Sequence, residues 1–141
     1  MTRDWLLLPS LARGSDAALL ATRLLTGAFL IHGAWDNIVS AERMAEFVGF
    51  LAASGFAIPG VMAPLSVWAQ FAIGVALILG LLTRWAGLLL AFNFVIGVVM
   101  VHWDQSFREW WPAIVLVALG LLFATVGAGR YAIDHHLEIR A

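Results

Sequence analysis

Four apolar stretches, each about the length of a bilayer crossing and almost free of charge, fill most of this 141-residue chain. A segment in lipid must satisfy its own backbone hydrogen bonds, so each stretch is expected to be an α-helix. About 20 residues cross the hydrocarbon core. The stretches run over residues 17–35, 61–82, 85–101 and 111–127. The fold class read from this pattern is all-α: an integral membrane four-helix bundle, one domain over residues 1–141. Composition closes the soluble alternative. Only 12% of the residues are charged, 62% are hydrophobic, and the mean hydropathy is +0.93. Soluble domains are roughly a quarter charged, and a small one leaves too much surface exposed to hide this much apolar area.

Charge bounds the function further. The net charge is −1, which gives no electrostatic basis for binding nucleic acid. Cysteine is absent, so disulfides, thiol redox chemistry, iron–sulfur clusters and zinc–thiolate sites are excluded. No small-residue cleavage site follows the first stretch, where His32-Gly33-Ala34-Trp35-Asp36 stands, so that span is expected to be retained.

All eight basic residues are arginines, and they predict orientation. Arg3, Arg13, Arg84, Arg130, Arg140 and, near the same end, Arg23 mark one side; Arg43 and Arg108 mark the other. Both termini of a multi-pass membrane protein are therefore expected in the cytoplasm. Trp35, Trp103, Trp110 and Trp111 read as one interfacial belt, with Trp85, Tyr131 and Trp5 as the other. The link between spans two and three is only Thr83-Arg84, which makes those spans antiparallel neighbours. Pro112 is read in the first turn of span four, where a missing N–H costs nothing. The tail from Arg130 is short and polar and is expected to lie against the cytoplasmic surface. No strong internal repeat is visible.

Residues 36–60 are more than a loop. Ser40 is a good N-cap and Gly55 a good stop. Between them Met44, Phe47, Val48 and Leu51 share one face, and Glu42, Glu46, Gly49 and Ala53 another. This predicts a short interfacial amphipathic helix over about residues 41–54, either a plain connector or a lid over a site.

The few polar groups at membrane depth are the candidates for function. Arg23 lies about two turns inside span one, where a charge is costly unless it snorkels or pairs. Asp16 and Asp134 are its expected partners in a structural ion pair; the rival reading is an anion or quinone-headgroup contact. His32 and Asp36 share a face of span one, and His102 and Asp104 end span three. At similar depth these pairs would suit a metal, a proton relay or a haem iron; interfacial packing is the plainer alternative. Gln70 and Asn93, inside spans two and three, need hydrogen-bond partners that lipid does not supply. Ser66, Gln70 and Gly74 form a stripe suited to helix–helix contact, as do Gly120 and Ala124. Trp68 is a candidate pocket wall beside Gln70. There is no P-loop, dinucleotide fingerprint, nucleophile elbow or HEXXH, and Asp134-His135-His136 makes a poor cation site.

Arg23-Leu24-Leu25-Thr26-Gly27, then Ile31-His32-Gly33, Gly74, Leu79-Gly80-Leu81-Leu82-Thr83-Arg84 and Gly127-Ala128-Gly129-Arg130-Tyr131-Ala132-Ile133-Asp134 follow one another in an order that resembles the DoxX family of four-span bacterial membrane proteins. The likeness covers roughly residues 17–137. Gln70 stands where the family often has glutamate, and Asp36 where it often has lysine. The resemblance implies a small integral subunit linked to redox chemistry, similar to a subunit of thiosulfate:quinone oxidoreductase or to membrane complexes that handle oxidative stress. The leading expectation is a membrane subunit of such a quinone-linked system with a membrane or redox protein partner. His32, Gln70, Asn93 and His102 would line a ligand pocket near the outer leaflet, with Trp68 as its wall. The cofactor is left unknown, with quinone a candidate and haem a lesser one. No redox group is intrinsic to the chain, so its status as an enzyme stays open. The rival readings are a non-catalytic membrane scaffold and a small-solute carrier, which would need a homo-oligomer.

Overall fold

A computed structural model describes residues 8–138. Arg3, Trp5 and Arg140, used above for orientation and the aromatic belts, lie outside the described residues. After a 3₁₀ turn, Pro9–Gly14, the elements are α1 (Ser15–Val39), α2 (Ala41–Ala53), α3 (Pro59–Leu79), α4 (Thr83–Gly97), α5 (Phe107–Val126) and the short α6 (Ile133–Glu138). A single π-helical turn, Val98–His102, extends α4.

Local chemistry explains most boundaries. The Ser40 hydroxyl accepts the Arg43 amide at 3.2 Å and starts α2. The helix ends in a Schellman closure, with Phe56 N–H on the Leu51 carbonyl and Gly55 N–H on that of Ala52, both at 3.1 Å. The expected apolar face packs inward: Met44, Phe47 and Val48 are half-buried and Leu51 is buried, while Glu42, Glu46, Gly49 and Ala53 are exposed. Helix α3 ends in the same way at Gly80, whose φ of 67° is left-handed and favours glycine. The turn to α4 is therefore residues 80–82, and Thr83-Arg84, read above as the link, opens α4 instead.

Pro112 also differs from expectation. It lies inside α5, because α5 begins at Phe107 and not at the apolar run. The Glu109 carboxylate accepts the Ser106 amide at 2.9 Å and its hydroxyl at 2.8 Å, which fixes the helix start one turn before hydropathy alone would place it.

The tertiary arrangement is two antiparallel helix pairs. Helix α1 packs mainly on α3, and α4 mainly on α5. Each pair crosses glycine on glycine. A Cβ built on Gly27 would lie 2.6 Å from the Gly74 carbonyl oxygen, and one on Gly74 would lie 2.8 Å from that of Gly27. Gly87 and Gly120 repeat the arrangement at 2.5 and 2.7 Å. The backbones approach closely because no side chain separates them, the usual basis of helix association in lipid. Leu30, Ile73, Leu77, Ala86, Leu90, Leu116 and Phe123 form the core that joins the pairs. Outward-facing residues such as Leu25, Phe29, Leu65, Trp85 and Phe92 are apolar and exposed. Four helices, Pro9–Val39, Pro59–Leu79, Thr83–His102 and Phe107–Val126, are long and apolar enough to cross a membrane. The fold is a helical membrane bundle. One end, the terminal face, holds the start of α1, the 80–82 turn and residues 127–138; α2 covers the other.

Candidate functional site

Polar side chains gather in two places. The first is a seam between the helix pairs. Ser66 on α3 donates to Asn93 Oδ1 on α4 at 2.9 Å, and Gln70 Nε2 donates to Ser66 Oγ at 3.1 Å. All three are half-buried. Gln70 lies eleven residues into α3, about 16 Å along its axis at 1.5 Å per residue, so the seam sits near the middle of that helix and not at its α2 end. The Gln70 carbonyl oxygen and Asn93 amide nitrogen have no protein partner among the described residues.

The other three pocket candidates do not join the seam. Trp68 is 53% exposed; two residues from Gln70 it points to another side of α3, and its ring meets Phe71 edge-on. His32 is exposed, and its neighbour Ile31 touches the Gly74 position, so the histidine lies level with the middle of α3. His102 closes the π-helical turn at the α2 end, where Nδ1 pairs with Gln105 Oε1 at 2.6 Å. No hydrogen bond or ring contact joins the two histidines among the described residues, so the structure does not gather them into one site. No group of three or more metal-ligating side chains occurs among the described residues.

The second cluster occupies the terminal face. Arg23 is fully buried. Its Nη1 donates to the Leu77 carbonyl at 3.1 Å and its Nη2 to that of Tyr131 at 2.5 Å. The expected ion pair with Asp16 and Asp134 is not formed; ion pairs among the described residues are Arg43–Glu46 and Arg130–Asp16. The reason is local. The Leu77 carbonyl lies in the last turn of α3, at the negative end of the helix dipole, and its one amide donor, Gly80 N–H, is long at 3.3 Å, so it attracts the guanidinium. Asp134 is engaged elsewhere, accepting Leu82 N–H at 2.7 Å and Thr83 N–H at 2.8 Å to cap α4. Asp16 accepts the Arg130 amide at 3.0 Å. Arg84 repeats the role of Arg23 in the second pair, donating through Nη1 to the Ala124 and Thr125 carbonyls at 3.0 and 2.6 Å. Sequence reading missed that role. Its one signal was an arginine placed a turn before the crossing glycine in each pair, Arg23 before Gly27 and Arg84 before Gly87.

Asp134→Ala tests the clasp. Losing both carboxylate–amide bonds at the α4 start is expected to cost about 2 kcal/mol, the upper part of the range for a lost N-cap. Denaturant unfolding in mixed micelles measures it, and a loss under ~0.5 kcal/mol would mean that other groups satisfy those amides.

A bundle of apolar-faced helices crossing at glycines, closed at one end by buried arginine–carbonyl bonds, defines a polytopic helical membrane protein. The DoxX family model matches residues 18–103, more than half of the chain, and the chain belongs to that family. It is similar to inner membrane protein YqjF of Escherichia coli (strain K12), with 27% identity over 129 residues covering 87% of this chain and 94% of the relative. No solved structure matches the chain.

Proposed function

We propose that the protein is a membrane subunit of a quinone-linked redox system, taking a lipid-soluble ligand at the seam between its helix pairs. The observation that supports this reading is the half-satisfied polar chain of Gln70, Ser66 and Asn93 near the middle of α3. A free amide N–H on Asn93 suits a quinone carbonyl, and a free carbonyl on Gln70 suits a quinol hydroxyl. Elsewhere at this depth an unused donor and acceptor side by side would be a liability. His32, Trp68 and His102 stand apart from that contact and are assigned no part in it. Electrons must come from a bound cofactor or a partner protein. The relative's name and the arginine distribution support an inner-membrane location with both termini cytoplasmic.

A quinone titration in nanodiscs tests the reading. Gln70→Leu and Asn93→Leu are each expected to weaken binding about five- to tenfold, the value of one neutral hydrogen bond. Unchanged affinity in both removes the site. One observation favours a second reading, that of an assembly partner. His32 is exposed at mid-depth with no hydrogen-bond partner among the described residues, where a neighbouring protein could satisfy it. Purification in mild detergent separates the two: co-purifying quinone supports the first reading, and a stoichiometric protein without quinone the second.

A further inference from the structure

The terminal face carries an opening of its own, apart from the seam. A cavity of about 570 Å³ opens there, between the α4 start, the residues following α5, and α6. Its size falls in the roughly 300–1,000 Å³ range of ligand sites. Two arginines line it. Arg84 spends only Nη1 on the α5 carbonyls, and its Nε and Nη2 have no acceptor among the described residues. Arg130 keeps its side chain 70% exposed, and its Nε lies 3.8 Å from Asp16, too far for a hydrogen bond. Two guanidinium forks with spare donors at one cavity fit phosphate oxygens. The carboxylates that could oppose an anion are largely committed. Asp134 accepts two amides at the positive end of α4, and Asp16 accepts one and faces Arg130 in a loose ion pair that an incoming phosphate would compete with; Glu138 makes no such contact among the described residues. Trp85, 64% exposed, lines the cavity and sets its depth, since exposed Trp rings mark the headgroup level.

We infer that this cavity binds the phosphodiester headgroup of an anionic phospholipid, held by Arg84 and Arg130. The headgroup lies at the depth of the lining, and the acyl chains can run down the exposed apolar flank of α4 beside Trp85.

Native mass spectrometry of the full chain, with phosphatidylglycerol or phosphatidylcholine of matched acyl chains, tests this. The wild type is expected to retain phosphatidylglycerol at least fivefold over phosphatidylcholine. Arg130→Gln should cut that preference severalfold and Glu138→Gln should raise it. Both side chains are exposed, and Arg130 holds Asp16 through its backbone, so both variants are expected to fold; circular dichroism checks this. Arg84→Gln also removes the α5 cap and serves only as support. Soluble glycerol phosphate forms a second arm. Binding as tight as that of the lipid would assign the site to a water-soluble phosphate and overturn the lipid assignment. No preference in the wild type, or one untouched in folded Arg130→Gln, would overturn the phosphate site itself.

Discussion

Gly120→Leu is expected to break the α4–α5 pair and cost at least ~3 kcal/mol of unfolding free energy in mixed micelles. A Cβ alone at Gly120 falls 2.7 Å from both the Ala91 nitrogen and the Gly87 oxygen. The atoms in the way belong to the backbone, so no rotamer change relieves the overlap and the helices must separate. Overpacking costs about 1–3 kcal/mol where side chains can yield, and more where the backbone must shift. Lipid amplifies the loss, because tails are as apolar as leucine and only close packing holds the helices together. Gly33→Leu is the control, since nothing lies within 4 Å of a Cβ at that site. It should not destabilise, and the propensity gained by replacing a mid-helix glycine is at most ~1 kcal/mol in the stabilising direction. Equal tolerance of the two leucines would show that the glycine crossing does not hold the pair.

Arg23→Ala should be comparably damaging, at about 3–5 kcal/mol. The half-buried Tyr131 carbonyl would lose its donor and the buried Leu77 carbonyl would keep only the long bond from Gly80 N–H, an unsatisfied buried acceptor costing about 1–3 kcal/mol. A void the size of the side chain adds to this. Arg23→Lys should recover part of the loss, because one ammonium cannot span the fork between the two carbonyls. Arg23→Met decides a different point. Buried charges are often replaceable by apolar groups without loss. Here the acceptors, Leu77 at the end of α3 and Tyr131 in the segment before α6, are backbone groups that methionine cannot serve, so methionine should remain at least ~2 kcal/mol short of wild type. Denaturant titration reads all three, and a methionine variant as stable as wild type would sink the claim.

What could be read from the sequence was local. Ser40 and Gly55 delimit α2 because a cap and a stop act through neighbouring residues. The Gly74 stripe was legible as a contact surface, but its partner Gly27 was not, since no local pattern says which helix faces which. The depth of Arg23 was clear from its position. Its acceptors were not, because carbonyls carry no residue identity, and the opposite charges on Asp16 and Asp134 suggested a pairing that backbone groups pre-empt. The start of α5 was misplaced because Ser106 and Glu109, though polar, nucleate the helix before its apolar run begins. Gln70 and Asn93 were recognisable as costly polar groups in lipid, whereas Ser66 as the atom joining them emerges only from helix register.

The bond from Arg23 to Tyr131 links residues 108 positions apart, and it carries a consequence for biogenesis. The guanidinium enters the translocon with the first helix, while one of its two acceptors leaves the ribosome after the last. Insertion and sealing are therefore separate events. Until the hydrophilic tail emerges and folds back, the nascent protein holds a charge with a single acceptor, and a stop codon ahead of Tyr131 leaves it in that state although every crossing has been made.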